Sequence, residues 1–232
     1  MAKKVIGISE FNNRKYVDID LSPEWRDHLG PDTTKKFSMC ITGNSGNGKT
    51  TYMLKLVKEL SKFGRVFINS AEQGFNRTLQ TNIGIVNMDE CRGKVMFGDN
   101  LTFDELMAKL TNKYFRVNYL VIDSVDYMKL TFEQYQQLGT AKKKGLSVIV
   151  VCWSKGNSET PQDSHAAKME YASDVKVYVM DFVAYARSRF GGDKPFMIYK
   201  KGHLAAITRK GKKPVHIDST GDLFSENKGG VS

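Results

Sequence analysis

The sharpest chemistry in the chain lies in eight consecutive residues, Gly43-Asn44-Ser45-Gly46-Asn47-Gly48-Lys49-Thr50, followed by Thr51. Glycines at the first, fourth and sixth places let a loop turn its backbone N–H groups inward as an anion-binding nest. A helix beginning at Lys49 would aim the positive end of its dipole at the same anion. The spacing is G-x-x-x-x-G-K-[ST]. Residues Gly43 to Thr51 are therefore expected to cradle nucleotide phosphates, with the Lys49 ammonium at the β- and γ-phosphates and the Thr50 hydroxyl on Mg²⁺.

A phosphate loop of this kind needs a carboxylate near the magnesium. Leu120-Val121-Ile122-Asp123 supplies one, with three apolar residues leading to an acid. An acid there sits at the carboxyl end of a buried parallel strand, where α/β sheets bind ligands. Hydrolysis also needs a group that orients the attacking water. Glu72 is the best placed acid, because it follows the strand Val66-Phe67-Ile68-Asn69 and lies one helix and one strand beyond Lys49. The expected set is Lys49 on phosphate, Thr50 and Asp123 on Mg²⁺, and Glu72 on water, with ATP as the nucleotide.

The elements that must hold these residues can be read from periodicity. Phe37 to Thr42 reads as a strand, and Met53, Leu56, Val57, Leu60 and Phe63 recur at helical spacing, with Gly64 able to end that helix in the left-handed region. Arg65 to Asn69, Val95 to Phe97, Tyr119 to Ile122 and Leu146 to Cys152 read as further strands. Thr102-Phe-Asp-Glu105 and Thr131-Phe-Glu-Gln134 are capping boxes that open helices, the second stopping at Gly145. Near-continuous apolar strands alternating with amphipathic helices predict an α/β fold, a parallel sheet covered on both faces. After residue 174 the segments Val175–Met180, Val183–Ala186, Phe196–Tyr199 and Leu204–Thr208 read as an antiparallel meander. Before residue 36, Val5 to Ile8 and Tyr16 to Ile19 read as short strands, and Ser22-Pro23 as a helix start. The expected organisation is an N-terminal extension over 1–35, a core over 36–210 and a basic tail over 211–232.

The chain has 232 residues, 41% hydrophobic and 26% charged, which excludes wholesale disorder. No apolar run approaches the roughly 20 residues of a membrane span. The N-terminus has no apolar stretch of the secretory kind, and three cysteines without C-x-x-C spacing fit a reducing, cytoplasmic setting. Cys40 and Cys152, inside apolar strands, read as small core residues. The net charge is +10, and residues 185–232 carry ten basic groups against four acids. That concentration suits a polyanion. Lys200, Lys201, Arg209, Lys210, Lys212 and Lys213 are the candidates, expected on strands and away from the phosphate site. The lysines at 142–144 read instead as the end of a helix.

The ordered set Gly43–Thr50, Ser70-Ala71-Glu72-Gln73, Val121-Ile122-Asp123-Ser124-Val125 and Val150-Val151-Cys152-Trp153-Ser154-Lys155 resembles the RecA-like ATPases. It looks most like the branch of RadA-type recombination ATPases, DnaB-type helicase cores and KaiC-type ATPases. The resemblance covers residues 36–210. It implies that Glu72 is the catalytic carboxylate and that the strand ending at Ser154-Lys155 senses the γ-phosphate. Arg187-Ser188-Arg189-Phe190-Gly191 resembles the family's Lys-Asn-Arg-Phe-Gly segment, which implies that Arg187 or Arg189 reaches the ATP of a neighbouring subunit. The polar loop 156–163 falls where relatives touch single-stranded DNA. The sequence departs from the pattern at Cys152, where RadA-type strands carry histidine, and at Gln73, which replaces a second acid. No zinc module or collar domain accompanies the core, which is similar in size to stand-alone phage-type recombination and replication ATPases.

The resemblance thus implies a homo-oligomeric, Mg²⁺-dependent ATPase acting on single-stranded DNA, with no membrane partner. Two other expectations remain open at this point. One is a helicase or translocase core driven by partner proteins. The other is a KaiC-like nucleotide-dependent switch directed at protein.

Overall fold

The computed structural model describes residues 5–142, 145–156 and 158–211. In chain order the helices and strands are α1 (Ile8–Asn12), α2 (Pro23–Leu29), β1 (Ser38–Gly43), α3 (Lys49–Leu60), β2 (Val66–Ser70), α4 (Arg77–Val86), β3 (Val95–Asp99), α5 (Phe103–Thr111), β4 (Tyr119–Asp123), α6 (Val125–Met128), α7 (Phe132–Thr140), β5 (Ser147–Trp153), α8 (Ser164–Ala172), β6 (Val175–Met180), β7 (Val183–Ser188), β8 (Phe196–Met197) and α9 (Lys200–Arg209).

The eight strands form one sheet in the order β3-β2-β4-β5-β1-β6-β7-β8. The run from β3 to β6 is parallel, β7 is antiparallel to β6, and β8 is antiparallel to β7. Side-chain alternation explains why both faces are apolar. Met39, Ile41, Tyr119, Val121, Ile149 and Val151 point into a core shared with α2, α3 and α4. Their neighbours Cys40, Leu120, Ile122, Val148, Val150 and Cys152 point into a second core under α5, α7 and α8. Two-sided burial is why these strands read as unbroken apolar runs rather than alternating ones. Ile19, Leu21, Trp25 and Leu29, from the segment preceding β1, belong to the first core.

The capping boxes at Thr102–Glu105 and Thr131–Gln134 are both formed. Other expectations are corrected. Leu204 to Thr208 is not a strand but part of α9. His203 and Ile207, four residues apart, are buried while Lys200, Lys201 and Arg209 stay exposed, so the helical period overrides the β-branched residues of Ile207-Thr208. Val5 to Ile8 forms no strand, because Ile8 opens α1. Tyr16 to Ile19 contributes only the isolated bridge Asp18–Thr34. Ser22 stands at the N-cap of α2 without a side-chain cap. Gly64 does not end α3 in the left-handed region. Its missing side chain is needed elsewhere, since a Cβ there would lie 2.6 Å from the Asn118 side-chain oxygen. The second capped helix, α7, ends at Thr140 rather than running to Gly145. Lys142 serves another element, donating to the carbonyls of Phe115 and Asn112 beyond α5, while 143 and 144 lie outside the described residues.

Candidate nucleotide site

Strand order and register gather the candidate residues at one rim. Ser70, Asp123 and Val151 share one row across β2, β4 and β5, and Gly43 pairs with Trp153 across β1 and β5. The chain leaves β1 and returns at β2, beyond β4 and β5, which opens the crevice at a topological switch point. Gly43 is required by contact, because a Cβ there would meet the Val179 carbonyl oxygen at 2.4 Å. Gly48 is required by conformation, standing at φ 98° as the N-cap of α3. Lys49 and Thr50 then occupy the first turn of α3, where the free backbone N–H groups and the helix dipole favour an anion.

The Lys49 side chain is folded back, its Nζ donating to the Asn44 carbonyl at 3.0 Å. Burial lowers its pKa, opposed by the nearby Glu72 and Asp123 carboxylates. The Thr50 hydroxyl donates to Asp123 Oδ2 at 3.5 Å. Burial pushes the Asp123 carboxyl up to about 7, with Glu72 adding to the rise and Lys49 and Thr50 opposing it. The Asp123 carbonyl accepts from the backbone N–H groups of Ala71 (2.7 Å) and Glu72 (2.9 Å), which fixes where Glu72 leaves β2. Lys49, Thr50 and Glu72 line one cleft of about 220 Å³, together with Ser45, Gly46, Gly48 and Thr51 of the loop. Two hard oxygen donors facing each other at its floor fit a small divalent cation, which takes one or two protein oxygens plus phosphate oxygens. Ser124, next to Asp123, has a buried hydroxyl without a hydrogen-bond partner, and so has the carbonyl of the Gln73 side chain.

The remaining loop residues tie the cradle to its surroundings. The Ser154 hydroxyl donates to the Asn44 side-chain oxygen at 2.7 Å. Asn47 accepts from Phe182 N–H through its carbonyl and from Asp181 N–H through its side-chain oxygen. The Asp181-Phe182 turn therefore clamps the loop, both residues standing at positive φ.

Sequence reasoning overlooked several lining residues. Gln73, Asn82 and Phe182 border the cleft. Asn82 lies on α4 and Phe182 between β6 and β7, and no local motif marks either. Trp153 is the other omission. Its indole N–H donates to Glu72 Oε2 at 3.4 Å, and its backbone N–H donates to Asp126 Oδ2 at 2.9 Å. The Asp126 carboxyl is itself raised by burial.

Arg187 and Arg189 are not brought to this cleft. They lie at the far end of β7 and just beyond it, where Arg187 pairs with Glu159 at 2.8 Å and Arg189 with Asp174 at 3.2 Å. Lys200, Lys201 and Arg209 are exposed on α9 rather than on strands. Lys210, just past α9, pairs with the buried Asp181 at 2.6 Å. The expectation that this basic group lies far from the phosphate site is thereby corrected, since Asp181 belongs to the turn that clamps Asn47. Lys212 and Lys213 lie outside the described residues. Cys40 and Cys152 are buried free thiols in the core. Among the described residues no helix is long and apolar enough to cross a membrane.

No protein-family model matches the chain, and no curated protein matches it by sequence. Among solved structures it is similar to the KaiC-like protein PH0186 from the hyperthermophilic archaeon Pyrococcus horikoshii OT3, at 15% identity and a TM-score of 0.54, over 78% of this chain and 93% of that one. It is also similar to the ATPase domain of a DnaB-like helicase, at 13% identity and a TM-score of 0.50, over 73% of this chain and 84% of that one. The fold is that of the RecA-like P-loop ATPases, as the sequence motifs imply.

Proposed function

We propose that the chain binds and hydrolyses Mg²⁺–ATP as a homo-oligomer that acts on single-stranded DNA. The observation that carries the reading is the convergence of Lys49, Thr50, Glu72 and Asp123 on one rim of the sheet. In this reading the loop N–H groups and Lys49 hold the phosphates, and Thr50 and Asp123 supply oxygen ligands for magnesium, which neutralises phosphate charge when bound. Glu72 accepts a hydrogen bond from the attacking water and orients it along the line to the γ-phosphate. Displacement of Lys49 Nζ from the Asn44 carbonyl accompanies nucleotide entry, because the same ammonium cannot serve both.

The oligomeric part draws on Arg187 and Arg189. Both side chains are well exposed, 77% and 64%, at a distance along β7 from their own cleft. Such groups are free to exchange Glu159 or Asp174 for the nucleotide of an adjoining subunit. The DNA part draws on the exposed Lys200, Lys201 and Arg209 on one helix, with Lys212 and Lys213 following in sequence. Contacts of this type neutralise phosphates without reading base edges.

The test is an ATP-turnover assay with and without single-stranded and duplex DNA, with particle mass measured on the same samples. Turnover that needs Mg²⁺, rises with single-stranded DNA and travels with a multimer is expected. Lys49→Ala should lose tight ATP binding while staying folded. A parent protein that turns over no ATP under any of these conditions refutes the hydrolytic reading. Turnover that ignores DNA would favour the protein-directed switch.

A further inference from the structure

Trp153 occupies an unusual crossing point. It ends β5 opposite Gly43, the first residue of the phosphate loop. Its backbone N–H is held by Asp126 at 2.9 Å, and its carbonyl accepts from Gln162 N–H at 2.8 Å. Its ring meets Tyr127 edge to face, with centroids 5.4 Å apart and planes at 88°. Backbone and ring are thus fixed by groups on both sides of Asp123. From this fixed mount the indole N–H reaches Glu72 Oε2, 81 residues away in sequence, at 3.4 Å.

A glutamate side chain has three torsions, and its backbone anchor on the Asp123 carbonyl leaves the carboxylate free to swing. A second fixed point is needed to aim it. The indole suits that purpose because its N–H is a donor with no acceptor capacity. It binds one lone pair of one carboxylate oxygen and leaves the other oxygen to accept from water. A rigid ring with two torsions also loses little freedom in holding that position.

We infer that Trp153 is a positioning residue for ATP hydrolysis, its indole N–H aiming the Glu72 carboxylate at the attacking water. The inference rests on the catalytic reading of Glu72. Trp153 touches no reacting atom in this account and acts only through Glu72.

Three measurements on the full chain test it. Trp153→Phe keeps an aromatic ring beside Tyr127 and removes the N–H. Its kcat should fall about tenfold, the scale of a misaimed catalytic group, while KM for ATP stays within about twofold. In a Glu72→Gln background the same substitution should cause no further loss, because two residues acting as one unit are not additive. The third readout does not depend on activity. The chain has two tryptophans, so its ¹H–¹⁵N spectrum carries two indole N–H signals, and Trp153→Phe assigns them. Glu72→Gln should displace the Trp153 signal and leave that of Trp25 in place. An unmoved Trp153 signal, an unchanged kcat in Trp153→Phe, or losses that multiply in the double variant would each overturn the inference. Full turnover in Glu72→Gln would instead sink the catalytic reading on which it stands.

Discussion

Helix α3 contributes to two buried polar clusters of opposite character. At its first turn Lys49 and Thr50 enter the phosphate cleft, while three residues on from Lys49, Tyr52 enters an aromatic pocket with Trp25, His28 and Phe196. In that pocket every ring is buried and every polar atom is matched. His28 Nε2 meets the Tyr52 hydroxyl at 2.8 Å and His28 Nδ1 meets the Lys194 carbonyl at 2.6 Å. The cleft is the reverse. A carboxylate and an ammonium are buried around incomplete partners, Asp123 is held up near neutrality, and two of the three buried side-chain atoms without a partner, on Gln73 and Ser124, belong to its surroundings. The third, the Tyr119 hydroxyl, starts β4 at the opposite rim. Buried polar groups cost free energy unless hydrogen-bonded. Complete matching therefore marks a structural cluster, and incomplete matching marks a place where a ligand supplies the missing contacts.

The contrast predicts that the two clusters fail differently. The largest effect should come from Trp25→Ala. Trp25 is 5% exposed and stacks on Phe196 with centroids 4.2 Å apart. Its loss should cost about 4 kcal/mol of unfolding free energy, measured by urea titration. ATP affinity of the folded protein should stay within about threefold. A variant of full stability, or one that loses ATP binding while folded, would erase the distinction.

His28 should give the next largest effect, visible in the acid limb of stability. Burial lowers its pKa to about 4, against 6.5 for a free side chain, and the Lys194 carbonyl only partly opposes this. The folded pKa is depressed, so between these values the unfolded chain binds a proton that the native chain refuses. Stability from this source is complete above about 6.5 and drains away as pH falls toward 4. The parent should lose about 3 kcal/mol more than His28→Gln between pH 7 and pH 4. Parallel stability curves for the two proteins would place the acid sensitivity elsewhere.

In the cleft the order reverses, with function lost before stability. Glu72→Gln should lower kcat about 100-fold or more and leave ATP binding in place. Its melting temperature should move little, because the Glu72 backbone remains held by the Asp123 carbonyl. A large drop in melting temperature would mean that Glu72 is a structural partner of Trp153 rather than a group held ready for water.

Some of this contrast is legible in the sequence and some is not. The phosphate loop, the apolar strands and the two capping boxes are local patterns, complete within a few residues, and the sheet is built around them. Glu72 and Asp123 can be proposed because each ends an apolar strand in a parallel α/β chain. The Trp153–Glu72 contact cannot be read this way, because it depends on β5 lying one strand beyond β4 and two beyond β2. Phe182 escapes notice because a turn between two edge strands carries no marker for its approach to Gly48. Helix α9 misleads, since Leu204 to Thr208 offers apolar and β-branched residues at both periods. Only the burial of His203 and Ile207 against the Asp181-Phe182 turn decides between them.

The smallest expected effect is also the most direct test of matching. Tyr52→Phe removes one hydroxyl and leaves His28 Nε2 buried without its partner. Ser124→Ala removes a hydroxyl that has none. Deleting a satisfied group strands its partner and costs about 1 kcal/mol, whereas deleting an unsatisfied one relieves a desolvation cost already present. In the nucleotide-free protein Tyr52→Phe should therefore lower unfolding free energy by about that amount, while Ser124→Ala should be neutral or raise it. Adding Mg²⁺–ATP should narrow or invert the gap for Ser124, because a hydroxyl that gains a contact from the ligand is then missed. Equal costs for the two substitutions without nucleotide would show that the Ser124 hydroxyl already has a partner, and that the cleft is less incomplete than its geometry indicates.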